Sequence, residues 1–221
     1  ASFLAFDGVS LSGNVGIGLN FAAISDDIVI QDSVFDANAG SGIRTASTAQ
    51  VNSVTITGTT FSNNFVGILL FGSGNTGNGQ IVNWSVSNSQ FLSNDNANAS
   101  IFGAGIWIKT AGAGSVIDGV NVTGSTFADN GSSNVLNRVG ITVRARPGTT
   151  MRNVSICNNS FVENGATLGT QLTGINVFDD TGNTGYQPIT VCADNTFTGL
   201  GHSVSGLEQF TLRGTQPVVN I

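Results

Sequence analysis

A phenylalanine followed three residues later by an asparagine recurs through this chain, and few folds can accommodate that repeat. The pairs are Phe35 and Asn38, Phe61 and Asn64, Phe91 and Asn94, Phe127 and Asn130, and Phe161 and Asn164. With Phe197 added, successive phenylalanines lie 26, 30, 36, 34 and 36 residues apart. Leu11 and Asn14 fit the same frame, with leucine in place of phenylalanine. The last unit departs from it, carrying Leu200 where the asparagine falls elsewhere.

Each unit opens with a short alternating segment before the phenylalanine. The segments read Ile28-Val29-Ile30, Val54-Thr55-Ile56, Trp84-Ser85-Val86, Val120-Asn121-Val122, Val154-Ser155-Ile156 and Ile189-Thr190-Val191. Alternation of this kind turns one set of side chains inward and the other outward. After the asparagine comes a glycine and an aliphatic residue: Gly16-Ile17, Gly42-Ile43, Gly67-Ile68, Gly105-Ile106, Gly140-Ile141, Gly174-Ile175 and Gly206-Leu207. A second alternating strand follows. No unit shows helical periodicity over ten or more residues.

A unit this short cannot bury its apolar face alone, whereas stacked units can. Equivalent positions then lie about 4.8 Å apart, and one residue type is selected down each column. The phenylalanines are expected to form an internal aromatic stack. The asparagines suit a tight turn, because Asn tolerates the left-handed region and its amide can bond to the next rung. An antiparallel sandwich does not account for a signature that recurs in phase with the same strand pattern. The expected fold is all-β, a parallel solenoid of about seven rungs, treated as a single domain over residues 1–221.

The run V-x-I-x-x-S-x-F-x-x-N followed by G-I resembles the parallel β-helix repeat of the pectate-lyase-like superfamily, and the resemblance covers nearly the whole chain. It implies a right-handed parallel β-helix. It does not imply one function, because that superfamily includes polysaccharide lyases, glycoside hydrolases, sugar epimerases, phage tailspikes and non-catalytic surface proteins.

Composition narrows the classes. Charged residues make up 9% of the chain, against about 25% in ordinary soluble domains, so Asn, Ser, Thr and Gly supply the polar surface. The net charge of −6 argues against nucleic-acid partners and anionic membranes. No apolar run approaches the length of a membrane-spanning helix, and the first residues carry no basic and apolar leader pattern. Cys157 and Cys192 follow the first strands of neighbouring units, at equivalent outward positions. One rung of separation suits disulfide geometry. A Cys157–Cys192 bridge is therefore expected, and with it an oxidising, extracellular or cell-surface location. The spacing of a structural zinc site is absent.

Loop lengths vary in two places, between the second strand and the next unit and between the asparagine and the Gly-Ile step. Variation of this kind marks either a binding face or tolerated drift. The chain opens in the strand Leu4-Ala5-Phe6 and closes on a segment reading as another strand, with no cap helix at either end. Open rungs expose unpaired backbone. Two readings follow: a piece of a longer solenoid, or ends that pair between molecules.

The outward residues of the strand after Gly-Ile include Arg44, Leu69, Phe71, Trp107, Lys109, Thr142, Arg144, Asn176 and Phe178, with Arg146, Arg152, Asp179 and Asp180 just beyond. Such a strip suits a saccharide, because rings stack on sugar faces and arginines pair with uronate carboxylates. It equally suits a protein partner, or a row buried beneath a long loop. The ligand-binding candidates are Phe71, Trp107, Lys109, Arg144, Arg146 and Phe178. No cofactor is expected. If one ion is bound it is Ca²⁺, with Asp179 and Asp180 as ligands.

For β-elimination, Arg144 or Lys109 would serve as base. Asp179 and Asp180 are also a candidate hydrolase pair, although Thr181-Gly182-Asn183 after them reads as a turn. His202 lacks the surroundings of a catalytic histidine, and Asp26-Asp27 reads as a turn before a strand. The Thr55/Thr57, Ser85/Ser87, Asn121/Thr123 and Ser155/Cys157 face is too irregular for an ice lattice. The leading expectation is a non-catalytic extracellular solenoid that is structural, adhesive or filament-forming, self-associating end to end. The alternative is a polysaccharide lyase or hydrolase using the strip.

Overall fold

The computed structural model describes residues 3–73, 79–94, 104–131, 139–164, 171, 173–179 and 189–200. At 73, 104, 178–179, 210–213 and 219–220 it describes the backbone alone. The described residues are all-β and form three parallel sheets. Every third strand joins the same sheet, so each repeat contributes one strand to each. Among the described residues the sheets hold eight, seven and seven strands. This arrangement is consistent with a parallel β-solenoid.

The first sheet takes the long strands before each phenylalanine: Ser25–Gln31, Gln50–Thr57, Gln80–Ser87, Val116–Thr123, Thr150–Cys157 and Ile189–Val191, with Leu4–Asp7 and Val219–Asn220 at its edges. The second takes three-residue strands centred on the phenylalanines, such as Thr60–Ser62 and Gln90–Leu92. The third takes the strands after Gly-Ile, such as Ala104–Ala111 and Val139–Ala145. Register is in phase with the sequence repeat: Val54 pairs with Trp84, Trp84 with Val120, and Phe61 with Phe91.

Long strands of the first sheet begin earlier than their apolar run, because each is bent by a left-handed residue. Asp27, Ser53, Asn83, Gly119 and Asn153 have φ of 51°, 54°, 55°, 73° and 54°. Pairing skips this column, running from Val82↔Asp118 to Trp84↔Val120. Asp27 therefore sits at a bend inside a strand and Asp26 is part of that strand, not a turn before it. Asn and Asp tolerate this backbone because short polar side chains bond locally.

Phe35, Phe61, Phe91, Phe127 and Phe161 are each at most 1% exposed. Their rings stack face to face with centroids 5.1, 4.9, 4.7 and 4.9 Å apart, and Phe197 continues the stack at 5.1 Å. Each buried ring contributes about 1.5–3 kcal/mol of burial free energy. The Gly-Ile glycines press on this stack. A Cβ at Gly140 would lie 2.7 Å from Phe161 Cδ1 and 2.8 Å from the carbonyl oxygen of Gly174. Only glycine lets the third sheet approach the rings this closely.

The asparagine column is a continuous amide ladder. Nδ2 of Asn14, Asn38, Asn64 and Asn94 donates to Oδ1 of the next asparagine at 2.7, 2.8, 3.0 and 2.9 Å. The same oxygens accept the backbone N–H of the preceding asparagine at 3.2 Å. Each amide from Asn38 to Asn130 also donates backward to the carbonyl of Leu11, Phe35, Phe61 or Phe91. These amides are buried and fully bonded, as buried polar groups must be. The left-handed residue of this turn is the one before the asparagine (Ala37, Asn63, Ser93 or Asp129) rather than the ladder asparagine itself. Asn164 does not continue the ladder, and Gln171 takes its place.

A second polar ladder stands two residues before the phenylalanines. Ser33, Thr59, Ser89, Ser125, Asn159 and Asn195 are all buried. Thr59, Ser89, Ser125 and Asn159 donate their backbone N–H to the next side chain at 3.0–3.2 Å. Cys157 and Cys192 are joined by a disulfide with Cα atoms 4.8 Å apart, one step past the pair Ile156↔Val191.

Candidate functional site

The outward face of the third sheet carries two rows. The first runs Asn20, Arg44, Leu69, Trp107, Thr142 and Asn176. The second runs Phe71, Lys109, Arg144 and Phe178, and continues to Arg213. Strand alternation points the described side chains of these rows away from the core, because Ile106, Ile108, Ile141 and Val143 between them face inward and are at most 1% exposed. The strip expected from the sequence therefore exists as a register.

It is not an open aromatic surface. Trp107 is 5% exposed, Asn176 8% and Thr142 9%, so the middle of the first row is closed to solvent. Burial of the row's apolar members was one of the three readings held open, and Trp107 fits it. Phe71, Lys109, Arg144 and Arg146 are half-buried. Lys109 Nζ lies 5.0 Å from the Phe71 ring centroid and 4.7 Å from that of Trp107, a two-ring cation–π arrangement worth about 0.5–2 kcal/mol.

Arg146 sits in a turn tied to this sheet. Its N–H donates to Thr110 Oγ1 at 3.2 Å, its carbonyl accepts from Thr149 Oγ1 at 2.6 Å, and the two threonine hydroxyls are 2.8 Å apart. Asn176 Oδ1 is buried with no hydrogen-bond partner, an acceptor left without a donor. Phe178 and Asp179 are placed by register alone, Phe178 against Arg144 and Asp179 against Ala145. Asp180, Tyr186 and His202 lie outside the described residues, so the expected calcium pair is not brought together among the described ones.

Cations gather on the third sheet. Of seven lysines and arginines in the chain, Arg44, Lys109, Arg144 and Arg213 are on strands of the third sheet, with Asp179, and Arg146 follows one. The first sheet holds Asp7, Asp26, Asp27 and Asp118 together with Arg152, and the second holds Asp36. Asp118 receives Arg152 Nε at 2.8 Å and Asn153 Nδ2 at 2.7 Å. Burial pushes its carboxyl up, but these bonds and the Arg152 charge outweigh that and hold it below the ordinary value. Hydrogen bonds from Ser62 and Asn63 lower Asp36 in the same direction.

One surface feature was not anticipated. A groove of about 330 Å³ crosses the first sheet before its bend, lined by Ile24, Asp26, Gln50, Asn52, Gln80 and Val82. Asn52 Nδ2 donates to Asp26 Oδ1 at 2.9 Å. The sequence signal for it was present in polar residues repeating at one frame, Gln50 and Gln80. It is visible only once the strand start is placed before the apolar run. Among the described residues, no nucleophile–base pair or facing carboxylate pair stands in either the row or the groove. Comparison with known proteins finds no matching family model, no similar curated protein and no similar solved structure.

Proposed function

We propose that this chain is a non-catalytic, extracellular β-solenoid acting as a structural, filament-forming or adhesive cell-surface module. The finer form of the fold in this reading is a right-handed parallel β-helix of about seven rungs, in keeping with the near-universal hand of parallel crossovers. The disulfide supports an oxidising compartment, and with it a secreted or cell-surface location.

The observation that carries the reading is the amide ladder. Every amide from Asn38 to Asn130 is consumed by its two neighbours, so the repeat's most constrained polar residues serve stacking and not a site. The filament-forming part of the reading is end-to-end self-association of the solenoid. Light scattering with electron microscopy tests it: rods longer than one molecule support end-to-end assembly, and single particles at every concentration overturn it.

A second reading is favoured by the cations gathered on the third sheet. The third-sheet face, with Phe71, Trp107, Lys109, Arg144, Arg146 and Phe178, suits an anionic saccharide chain. Guanidinium groups pair with carboxylates. If that face were catalytic, Arg144 or Lys109 would remove the proton in β-elimination, with Ca²⁺ at Asp179 and Asp180 neutralising the uronate. Incubation with uronate polymers, with and without calcium, distinguishes the cases. Retention without new ultraviolet absorbance supports adhesion, unsaturated product supports a lyase, and neither result removes this second reading.

A further inference from the structure

A third ligating group stands beside the disulfide. The sulfur atoms of Cys157 and Cys192 and a carboxylate oxygen of Asp194 all lie within 4.8 Å of one another, the cysteines half-buried and the aspartate exposed. We infer that the Cys157–Cys192 bridge covers a latent site for a thiophilic divalent cation, with Asp194 as its third ligand.

Three features hold the groups in place without the S–S bond. Strand pairing fixes the two cysteines side by side, through Ser155↔Thr190 and Ile156↔Val191. The second polar ladder grips both backbones: Asn159 Nδ2 donates to the Cys157 carbonyl at 2.9 Å and Asn195 Nδ2 to the Cys192 carbonyl at 2.7 Å. Asp194 is set by the turn after Cys192, and its Oδ1 accepts the backbone N–H of Asn158 at 2.7 Å. Elsewhere in this column neighbouring side chains already meet, as Ser87 Oγ and Thr57 Oγ1 do at 3.3 Å.

The geometry suits a tetrahedral soft cation. Zinc–thiolate bonds of about 2.3 Å at a tetrahedral angle put two sulfurs about 3.8 Å apart. Side chains on adjacent rungs, with Cα atoms 4.8 Å apart, reach that separation without moving the backbone. Two thiolates and one carboxylate leave the fourth position to water, and the sulfur pair selects Zn²⁺ or Cd²⁺ over Ca²⁺ or Mg²⁺.

Opening the site is a two-electron step. A dithiol reductant attacks the bridge and leaves as its own disulfide, passing two electrons and two protons to give two thiols. The cation then displaces those two protons to solution. Bridge and metal are alternative occupants of one corner.

The test uses the intact chain reduced with a phosphine, which takes its oxygen from water and supplies the two electrons. Cd²⁺ is added and thiolate-to-metal charge-transfer absorption is followed. The expected result is one saturating equivalent for the reduced protein and none for the oxidised protein, with both thiols protected from alkylation. Asp194→Asn keeps the acceptor for Asn158 and is expected to weaken binding about tenfold at an unchanged thiol titre. Absence of saturable binding overturns the proposal. So does equal binding by Cys157→Ser or unchanged affinity in Asp194→Asn. Loss of the β-sheet circular dichroism signal on reduction, before metal is added, overturns it too, because the groups are then not held by the fold.

Discussion

Gln171 Oε1 accepts both the backbone N–H of Asn130, at 3.0 Å, and its side-chain Nδ2, at 3.1 Å. A glutamine from a later part of the chain thus supplies the oxygen that asparagine supplies in the earlier rungs. Asn164, which holds the equivalent place in the sequence, is exposed and gives its backbone N–H to Asp129 Oδ1 at 2.7 Å. The two substitutions should separate cleanly. Gln171→Ala strands two buried donors and is expected to cost about 2–4 kcal/mol. Asn164→Ala is expected to stay within about 0.5 kcal/mol. Urea midpoints of the two variants decide it, and equal losses would return Asn164 to the ladder.

That exchange shows what the sequence could and could not carry. Phe61, Phe91 and Phe127 were legible because one large apolar side chain filling one column leaves a single residue type at a fixed offset. Cys157 and Cys192 were legible because register alone places them together. Gln171 was not, because a longer side chain reaching back across a loop has no fixed offset. The bend column hid for another reason: Asp27, Ser53, Asn83, Gly119 and Asn153 share a backbone conformation and not a chemistry. The third-sheet rows follow from alternation, but exposure depends on what packs above a strand, so Trp107 was placed on its face while its accessibility stayed open among three readings.

The contact between Gly140 and Phe161 gives a second prediction. An alanine methyl at 140 meets a ring held in a stack and a backbone carbonyl, neither of which can yield. Gly140→Ala is expected to destabilise by about 2–3 kcal/mol. At the first rung the step falls on Gly18, which aligns with Gly42, and not on Gly16 as the sequence suggested; a Cβ on Gly16 meets nothing within 4 Å. Gly16→Ala should be close to neutral. Thermal melts of the pair make the comparison, and a neutral Gly140→Ala would mean that the ring stack is free to shift.

Acid should weaken the fold through Asp118 and Asp36. Both carboxyls lie below their ordinary value of 3.8 in the folded protein. The folded state therefore binds their protons less readily than the unfolded chain. Their contribution is complete above 3.8 and is lost as pH falls through the lower folded values. For Asp118 it is small, below about 1 kcal/mol, because Arg152 is 50% exposed and screened. Carboxyl titration by NMR should give midpoints under 3.8 for both. The stability gap between wild type and Asp118→Asn should close over the same acid range, and a gap independent of pH would remove the electrostatic account.

The disulfide closes a span of 35 residues. On the chain-entropy argument it contributes about 3–4 kcal/mol, mostly by restricting the unfolded state. Cys157→Ser should lower the urea midpoint accordingly while leaving the circular dichroism spectrum unchanged. Intact mass before and after reduction and alkylation checks the bridge directly, with no free thiol expected in the native protein. A native protein that alkylates at two sites without reduction would contradict the pairing.

Phe91 and Phe127 have the closest ring centroids of the stack, at 4.7 Å and 5° between planes. Burial alone predicts that two truncations add. Direct contact predicts that they do not, because removing one ring already takes away what the second can lose. Leucine is the appropriate replacement, since Leu11 fills this column at the first rung. Each single Phe→Leu change is expected to cost about 1–3 kcal/mol, from lost area and the cavity left between fixed neighbours. The double variant should fall short of the sum by about 0.5–1.5 kcal/mol. Phe35 paired with Phe161 supplies the control, since three rings stand between them and additivity should hold. Additivity at both pairs would mean that the rings stack because the rungs do, and contribute nothing to one another.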